Sequence, residues 1–457
     1  MKLRFWQKQC VELALSSYAA QQQHFLCLAT PGAGKTVMSS ELAARLLESG
    51  QIDFVLCFAP SVSVVSGFIH TFEQRFDRRM DGKIGAAGGA YTYQAMLHLD
   101  QEFWSILQRY RVLVVFDEIH HCSGQNAETT NAWGETILLQ IRDKATFSIA
   151  MTGTPWRSDE APIVLARYLD PDNRLHCDYV YGLTEAVNDH VCRKPIVTMI
   201  DVSSVQIEDK TYDSLTAALN LSDLEYSTIL HDSKAMEFAL ELGVLQLVEC
   251  RKEMENAGGL IVASSIAHAK QLFQMLRVKF NQTAVMVTYK EVDPHNIIEL
   301  FKRNNLQWIV SVGMVSEGTD IPRLQVCCHL STVRTELYFR QILGRVLRKI
   351  VGTSNENGYL ITFAEQSLLL FAERIQQEIP ESEIRVRNHL DLPNSLNKDH
   401  SHKNETEQLA DNKSLEDNQE TESQLNFVSE LKEPLRWSFN GSFRQRVISV
   451  FSQPFND

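Results

Sequence analysis

Short apolar runs alternate with helical stretches along most of the chain. Phe25–Ala29, Phe54–Ala59, Val112–Phe116 and Thr146–Met151 are rich in β-branched or aromatic residues and apolar on both faces. That pattern predicts strands buried inside a parallel sheet. Val37–Glu48 has helical spacing and stops at Gly50, a residue suited to closing a helix. Helical segments between strands are what right-handed crossovers require. After about residue 195 the pattern changes, and 205–255 reads as mainly helical and charged. A second series of apolar runs then follows at Leu260–Ser264, Ala284–Thr288, Trp308–Val312, Val326–Leu330 and Tyr359–Phe363. The predicted fold class is α/β: two parallel-sheet lobes in tandem, a helical connector and a disordered acidic segment towards the C-terminus. The predicted divisions are 1–195, 196–255, 256–394, 395–430 and 431–457.

Composition narrows this picture. With 44% hydrophobic and 22% charged residues, the 457-residue chain reads as globular and long enough for two full cores. No apolar run approaches the ~20 residues a spanning helix needs, so no membrane role is expected. The N-terminus turns polar at Gln7 and lacks the apolar stretch of a secretory signal. The nine cysteines are scattered, with Cys27, Cys57, Cys327 and Cys328 in predicted core strands. Buried thiols in a reducing, cytoplasmic setting are expected. The net charge of −13 does not exclude a nucleic-acid partner, because binding follows local charge. Part of that charge lies in 395–426, which has eight acidic residues, three lysines and no aromatic, proline or glycine. Such a segment cannot bury enough surface to offset its conformational entropy.

Two stretches carry candidate chemistry. Ala29-Thr30-Pro31-Gly32-Ala33-Gly34-Lys35-Thr36 lies between a predicted strand and a predicted helix. Glycines there let successive N–H groups cradle phosphate oxygens, and the helix N-terminus adds partial positive charge. Lys35 is then expected to reach the β- and γ-phosphates, and the Thr36 hydroxyl to ligate Mg²⁺. Val112–Phe116 leads into Asp117-Glu118-Ile119-His120. Ligands bind beyond the carboxyl ends of parallel strands, so Asp117 is expected beside the phosphate loop as a metal carboxylate. Glu118 is expected to orient and polarise an attacking water. His120, His121 and Cys122 do not form a metal set, because no second ligand pair stands at zinc spacing.

These motifs, in their order along about residues 1–380, resemble those of superfamily 2 helicases of the Asp-Glu-X-His type. The resemblance implies two RecA-like lobes, ATP and Mg²⁺ as cofactors, and a nucleic-acid partner. Gln7 matches a glutamine that reads adenine. Pro60-Ser61 and Thr92-Tyr93-Gln94 match strand-binding elements, which implies nucleic-acid contacts for Ser61 and Thr92. Thr152-Gly153-Thr154-Pro155 matches a motif coupling hydrolysis to lobe movement, with His120, Thr152 and Thr154 in that role. Ser264-Ser265 matches a fourth motif, so Ser264 is implied in nucleic-acid contact. Glu317–Pro322 matches a fifth, implying nucleotide contacts for Gly318 and Asp320 and nucleic-acid contact for Thr319. Gln341–Arg348 matches a sixth, with Gln341, Arg345 and Arg348 in catalysis. Arg345 and Arg348 are three apart and are expected on one helix face. Their guanidinium forks suit a γ-phosphate held by the opposite lobe. Ile342 departs from the pattern, standing where relatives often carry arginine.

The subgroup resembles double-strand-tracking repair translocases and restriction-enzyme motors, which favours DNA over RNA. Two alternatives share the same motifs: an ATP-gated nucleic-acid clamp or sensor, and a motor subunit of a restriction or defence complex that does not itself unwind. Trp437, Phe439, Phe443, Phe451 and Phe455 return apolar character after the acidic segment, with Arg436, Arg444 and Arg446 among them. This tail is read either as a docking peptide for a protein partner on a tether of roughly 30 Å, or as a segment packing back on the lobes.

Overall fold

The computed structural model describes residues 2–123, 131–153, 162–169, 174–313, 321–350, 356–378, 383–387, 437–439 and 443–444. The first lobe is built on six parallel strands: β1 His24–Ala29, β2 Phe54–Ala59, β3 Gly88–Thr92, β4 Val112–Asp117, β5 Phe147–Thr152 and β6 Tyr179–Tyr181. They lie side by side in the order β3-β2-β4-β5-β1-β6. Helices α1 Phe5–Ala19, α2 Lys35–Glu48 and α3 Val62–Phe76 belong to this lobe. The four predicted strands appear within one or two residues of their expected ends. Helix α2 runs to the predicted turn, where Gly50 takes φ +65°.

Helix α1 was not read from the pattern, yet its reason is local. Cys10, Val11, Ala14 and Tyr18 recur on one face and are buried, which is helical spacing. The Gln7 side-chain Oε1 accepts the Arg4 backbone N–H at 2.8 Å and closes the first turn. Buried Trp6 stacks on Tyr181 at 4.8 Å between ring centroids, which ties α1 to the sheet edge.

The second lobe carries seven more parallel strands: β7 Lys194–Val202, β8 Gly258–Ala263, β9 Ala284–Val287, β10 Trp308–Ser311, β11 Leu324–Leu330, β12 Asn357–Phe363 and β13 Glu383–Arg387. Their order is β9-β10-β8-β11-β12-β7-β13. Helices α4 Ser233–Glu253, α5 Ile266–Val278, α6 Glu336–Val346 and α7 Gln366–Glu378 flank it. Gly243 lets α4 approach closely. A Cβ there meets Cys328 Sγ at 2.6 Å and the Trp308 ring at 3.1 Å.

The stretch expected as a helical connector differs in its first part. Lys194–Val202 is β7, paired with β12 along seven residues, and Val205–Ile207 forms a hairpin with Lys210–Tyr212. β7 is buried almost throughout because it lies inside the second sheet. Helix returns only from Leu215. The tail also returns: Trp437–Phe439 pairs antiparallel with Val205–Ile207, and Phe443–Arg444 with the end of β7. Those residues take the packing alternative. Among the described residues no helix is long and apolar enough to cross a membrane.

The second core contains a feature with a measurable consequence. His329 lies one residue before the end of β11, fully buried, and neither ring nitrogen has a hydrogen-bond partner. Burial pushes its pKa down to about 4, and burial with His231 nearby does the same to His268. Between about pH 6.5 and 4 the unfolded chain therefore binds protons that the folded chain refuses. Stability contributed above pH 6.5 is lost on acidification through that window. His329→Leu is expected to flatten part of the fall in melting temperature between pH 7 and 4.5. An identical pH profile for variant and parent would contradict the assignment.

Candidate functional site

The strand order assembles the site. β5 lies between β4 and β1, with Met151 opposite Asp117 and Thr152 opposite Leu28. Three chain segments distant in sequence thus end side by side: the phosphate loop, the carboxylate pair and Thr152-Gly153. This is the carboxyl edge of a parallel sheet, where such folds bind ligands.

The phosphate loop is held from three sides. The Thr30 N–H donates to Tyr181 O at 3.0 Å and the Ala33 N–H to Thr30 O at 3.2 Å. Gly32 and Gly34 take φ +82° and +92°, where a side chain is strained. From α1, Gln7 Nε2 donates to Gly34 O at 2.9 Å, and Arg4 Nη1 to Ala33 O at 2.6 Å. Gln7, expected to read adenine, therefore grips the loop through one amide hydrogen. Its second hydrogen is the one that remains for a base. Pro31 lies between two glycines, one from each lobe. A Cβ on Gly153 meets Pro31 at 3.0 Å, and a Cβ on Gly344 meets it at 3.0 Å.

Lys35 and Glu118 form the centre. Lys35 Nζ donates to Glu118 Oε1 at 2.8 Å and to Ala29 O at 3.1 Å. Glu118 Oε2 accepts the Gly153 N–H at 3.0 Å, with the Thr152 hydroxyl at 3.4 Å. His120 Nδ1 is 2.9 Å from Thr152 Oγ1 and 3.4 Å from Glu118 Oε2. The residues expected to couple hydrolysis to movement, His120 and Thr152, thus touch the residue expected to position water. Glu118 is held at φ +48°, ψ +52°, a left-handed conformation costly for a side-chain-bearing residue. Burial opposes its ionisation, but Lys35 and His120 hold its carboxyl well below the usual range. Burial also opposes the charge on Lys35, and Glu118 with Asp117 outweighs it, so the ammonium is held above its ordinary value.

Asp117 differs from its neighbour. Burial, then the charge on Glu118, pushes its pKa up to about 7 against the pull of Lys35. Its Oδ1 is buried with no hydrogen-bond partner. An orphaned carboxylate oxygen beside a phosphate loop fits a cation ligand. Half-buried Thr36, the second residue of α2, completes the donor set expected from the motif.

The opposing wall comes from the second lobe. Arg348 packs over the loop, its Cγ 3.1 Å from where a Gly32 Cβ would stand. Arg345 is buried, and Gln341 lies one turn before it on α6. The expectation that Arg345 and Arg348 share a helix face is corrected. α6 ends at Val346, and Arg348 forms an isolated antiparallel bridge with Cys192. The chain leaves the helix because the Arg193 N–H takes the Leu347 carbonyl at 2.7 Å. Ile342 is fully buried, which explains an apolar residue at that position.

The described residues expected on nucleic acid lie at strand ends in both lobes. Ser61 and Thr92 follow or close β2 and β3 and accept helix N–H groups, from Val64 at 3.4 Å and Ala95 at 3.0 Å. Each is an N-cap worth about 1 kcal/mol. Tyr93, next to Thr92, donates to Asp117 O at 2.7 Å and so joins that element to the carboxylate pair. Ser264 follows β8, with its hydroxyl 2.8 Å from His268 Nδ1 and 3.2 Å from His231 Nε2. Gly318, Thr319, Asp320 and Thr154 lie outside the described residues.

Sequence reasoning missed Arg4, Tyr93, Cys192 and Arg193. Arg4 and Tyr93 stand inside motifs already marked, and a fuller reading of those runs could have included them. Cys192-Arg193 reads as a basic turn and carries no signal.

Residues 1–157 match the family described as Type III restriction enzyme, res subunit, and residues 242–349 match Helicase conserved C-terminal domain. An uncharacterized protein of Mycobacterium leprae (strain TN) is 31% identical over 364 residues, 76% of this chain. The chain spans only 59% of that relative. A Sulfurisphaera tokodaii protein named DNA 3'-5' translocase XPB2 is 20% identical over 373 residues, 74% of this chain and 77% of its own. Among solved structures, a fragment of an HsdR subunit of a type I restriction enzyme from Vibrio vulnificus YJ016 superposes with a TM-score of 0.60. Its identity is 18%, over 84% of this chain and 68% of that one, so it shows the fold. A restriction-subunit family match and a helicase family match thus follow one another along the chain, each on its own parallel sheet, and this succession makes the chain similar to superfamily 2 helicases.

Proposed function

We propose that the chain is an ATP-dependent nucleic-acid helicase or translocase that hydrolyses ATP between its lobes. One observation supports this most: Arg348 of the second lobe packs on Gly32 of the phosphate loop. Two walls of opposite origin then close on one triphosphate. On this reading Lys35 leaves Glu118 to meet the β- and γ-phosphates. Glu118, freed but still held by the Gly153 N–H, orients the attacking water. Arg345 and Arg348 stabilise charge developing on the phosphoryl oxygens, with Gln341 beside them. Thr36 and Asp117 are the residues that would hold Mg²⁺, which supplies neutralisation of phosphate charge when bound. Gly318 and Asp320 contact the nucleotide.

Ser61, Thr92, Ser264 and Thr319 form the nucleic-acid track. The Tyr93–Asp117 hydrogen bond supports communication between this track and the nucleotide. Contacts of this kind go mainly to phosphate and sugar, so binding is sequence-tolerant and salt-sensitive. DNA is favoured over RNA, in line with the relative named a DNA translocase. The reading keeps the divisions at 1–195, 196–255, 256–394, 395–430 and 431–457, except that β7 joins the second lobe, and a cytoplasmic setting. A protein partner reached through the tail belongs to it too, with Trp437–Phe439 themselves seated on the second lobe.

The test is ATPase rate against single-stranded and duplex DNA and RNA, at two salt concentrations. The rate should rise severalfold with nucleic acid, most with duplex DNA, and less at high salt. A rate indifferent to every nucleic acid sinks the motor reading. Stimulation without strand or protein displacement would favour the clamp.

A further inference from the structure

A cation buried at the hinge has no part in the chemistry described so far. Arg193 is 0% exposed, one residue before β7, where the chain passes from the first lobe into the second. Its Nη1 donates to Leu324 O at 2.7 Å and Val346 O at 3.0 Å, and its Nη2 to Pro322 O at 3.3 Å. Its backbone N–H takes Leu347 O at 2.7 Å. No carboxylate among the described residues pairs with it, its Nε is buried without an acceptor, and burial pushes the guanidinium down to about 10. As a stabilising device this is poor, because a buried unpaired cation is costly.

The placement of its acceptors explains it better. Val346 ends α6 and Leu347 caps it, so Arg193 holds the negative end of that helix. Arg345 precedes those two carbonyls and Arg348 follows them. Pro322 and Leu324 stand at the entry to β11, just after the Glu317–Asp320 motif. The preceding residue faces the other lobe: Cys192 bridges Arg348, and its Sγ lies 3.7 Å from Pro31 O.

We propose that Arg193 is a positioning residue, clamping the end of α6 to the entry of β11 so that Arg345 and Arg348 point at the phosphate loop. This rests on the reading that those two arginines meet a nucleotide phosphate. Lysine cannot replace it, since one ammonium does not reproduce a planar fork spanning three carbonyls.

The experiment uses the full chain with Arg193→Lys, Arg193→Met, Arg348→Ala and the double variant Arg193→Met/Arg348→Ala. Calorimetry compares ADP with ADP–aluminium fluoride, a mimic of the transferring phosphoryl group. Wild type should prefer the mimic. Both Arg193 variants should keep ADP affinity and lose at least roughly tenfold in mimic affinity, a part of the roughly thousandfold or more that such arginines supply. The double variant should lose less than the two single losses combined, because Arg193 acts in part through Arg348. Mimic affinity unchanged in Arg193→Lys overturns the proposal. A parallel loss of ADP affinity also overturns it, because that marks a merely structural role. Where Arg193→Met does not fold, the lysine variant decides alone. A wild-type protein blind to the difference between ADP and the mimic removes the arginine reading itself, and the proposal with it.

Discussion

Glu118→Gln should bind nucleotide as tightly as the parent and lose at least about a hundredfold in turnover, the lower end of what a positioned base supplies. The geometry argues for a loss confined to chemistry. The carboxylate takes Lys35 Nζ on one oxygen and the Gly153 N–H on the other. Both partners are donors, so a neutral amide can satisfy only one of them and turns its NH₂ against the second. The backbone strain at φ +48° is the same for either side chain, and the fold is therefore retained. What disappears is a full negative charge that Lys35 and His120 keep ionised against burial. Steady-state ATPase beside fluorescence titration of a nucleotide separates the two effects. Turnover within a few-fold of the parent removes Glu118 from the mechanism.

Lys35→Ala should abolish turnover and weaken nucleotide binding at least about tenfold, since a point charge on the phosphates is lost. It should also change the empty protein. Lys35 is the only ion-pair partner of Glu118 besides His120 among the described residues. Without it, Asp117 and Glu118 stand as adjacent carboxylates in a largely buried place. Breaking a fully buried pair costs about 3–5 kcal/mol. With Glu118 side-chain exposure at 23%, solvent screening reduces this to about 2 kcal/mol. The melting temperature should therefore fall at pH 7.5 and recover in part at pH 5.5, where a carboxylate regains its proton. Unchanged nucleotide affinity would count decisively against the phosphate-loop reading.

Most of the proposed nucleotide site is legible in the sequence, and the proposed nucleic-acid track much less so. Lys35, Thr36, Asp117 and Glu118 announce themselves because phosphate and metal chemistry demand particular residue types in fixed local order. Ser61, Thr92 and Ser264 do not. Each also caps a helix or binds a histidine, and such local duties need the same side chains as a backbone contact. Arg193 was illegible for a different reason: its acceptors are main-chain carbonyls, which any residue supplies. The helical connector was misjudged at its start because β7, buried on both faces, has no alternation to reveal it.

Local information thus determined the strands, the helix after the phosphate loop and the motif residues at the strand tips. These follow from apolar runs, turn residues and short motifs, whose physics acts within about ten residues. The tertiary structure alone decided three things. It inserted β5 between β1 and β4, so that Thr152 reaches Glu118. It placed β7 and the tail strand Trp437–Phe439 in the second lobe. It bent the chain out of α6 so that Arg348 lies over Gly32. Each depends on pairing between segments far apart in sequence, where backbone hydrogen bonds carry the geometry and leave no mark in residue type.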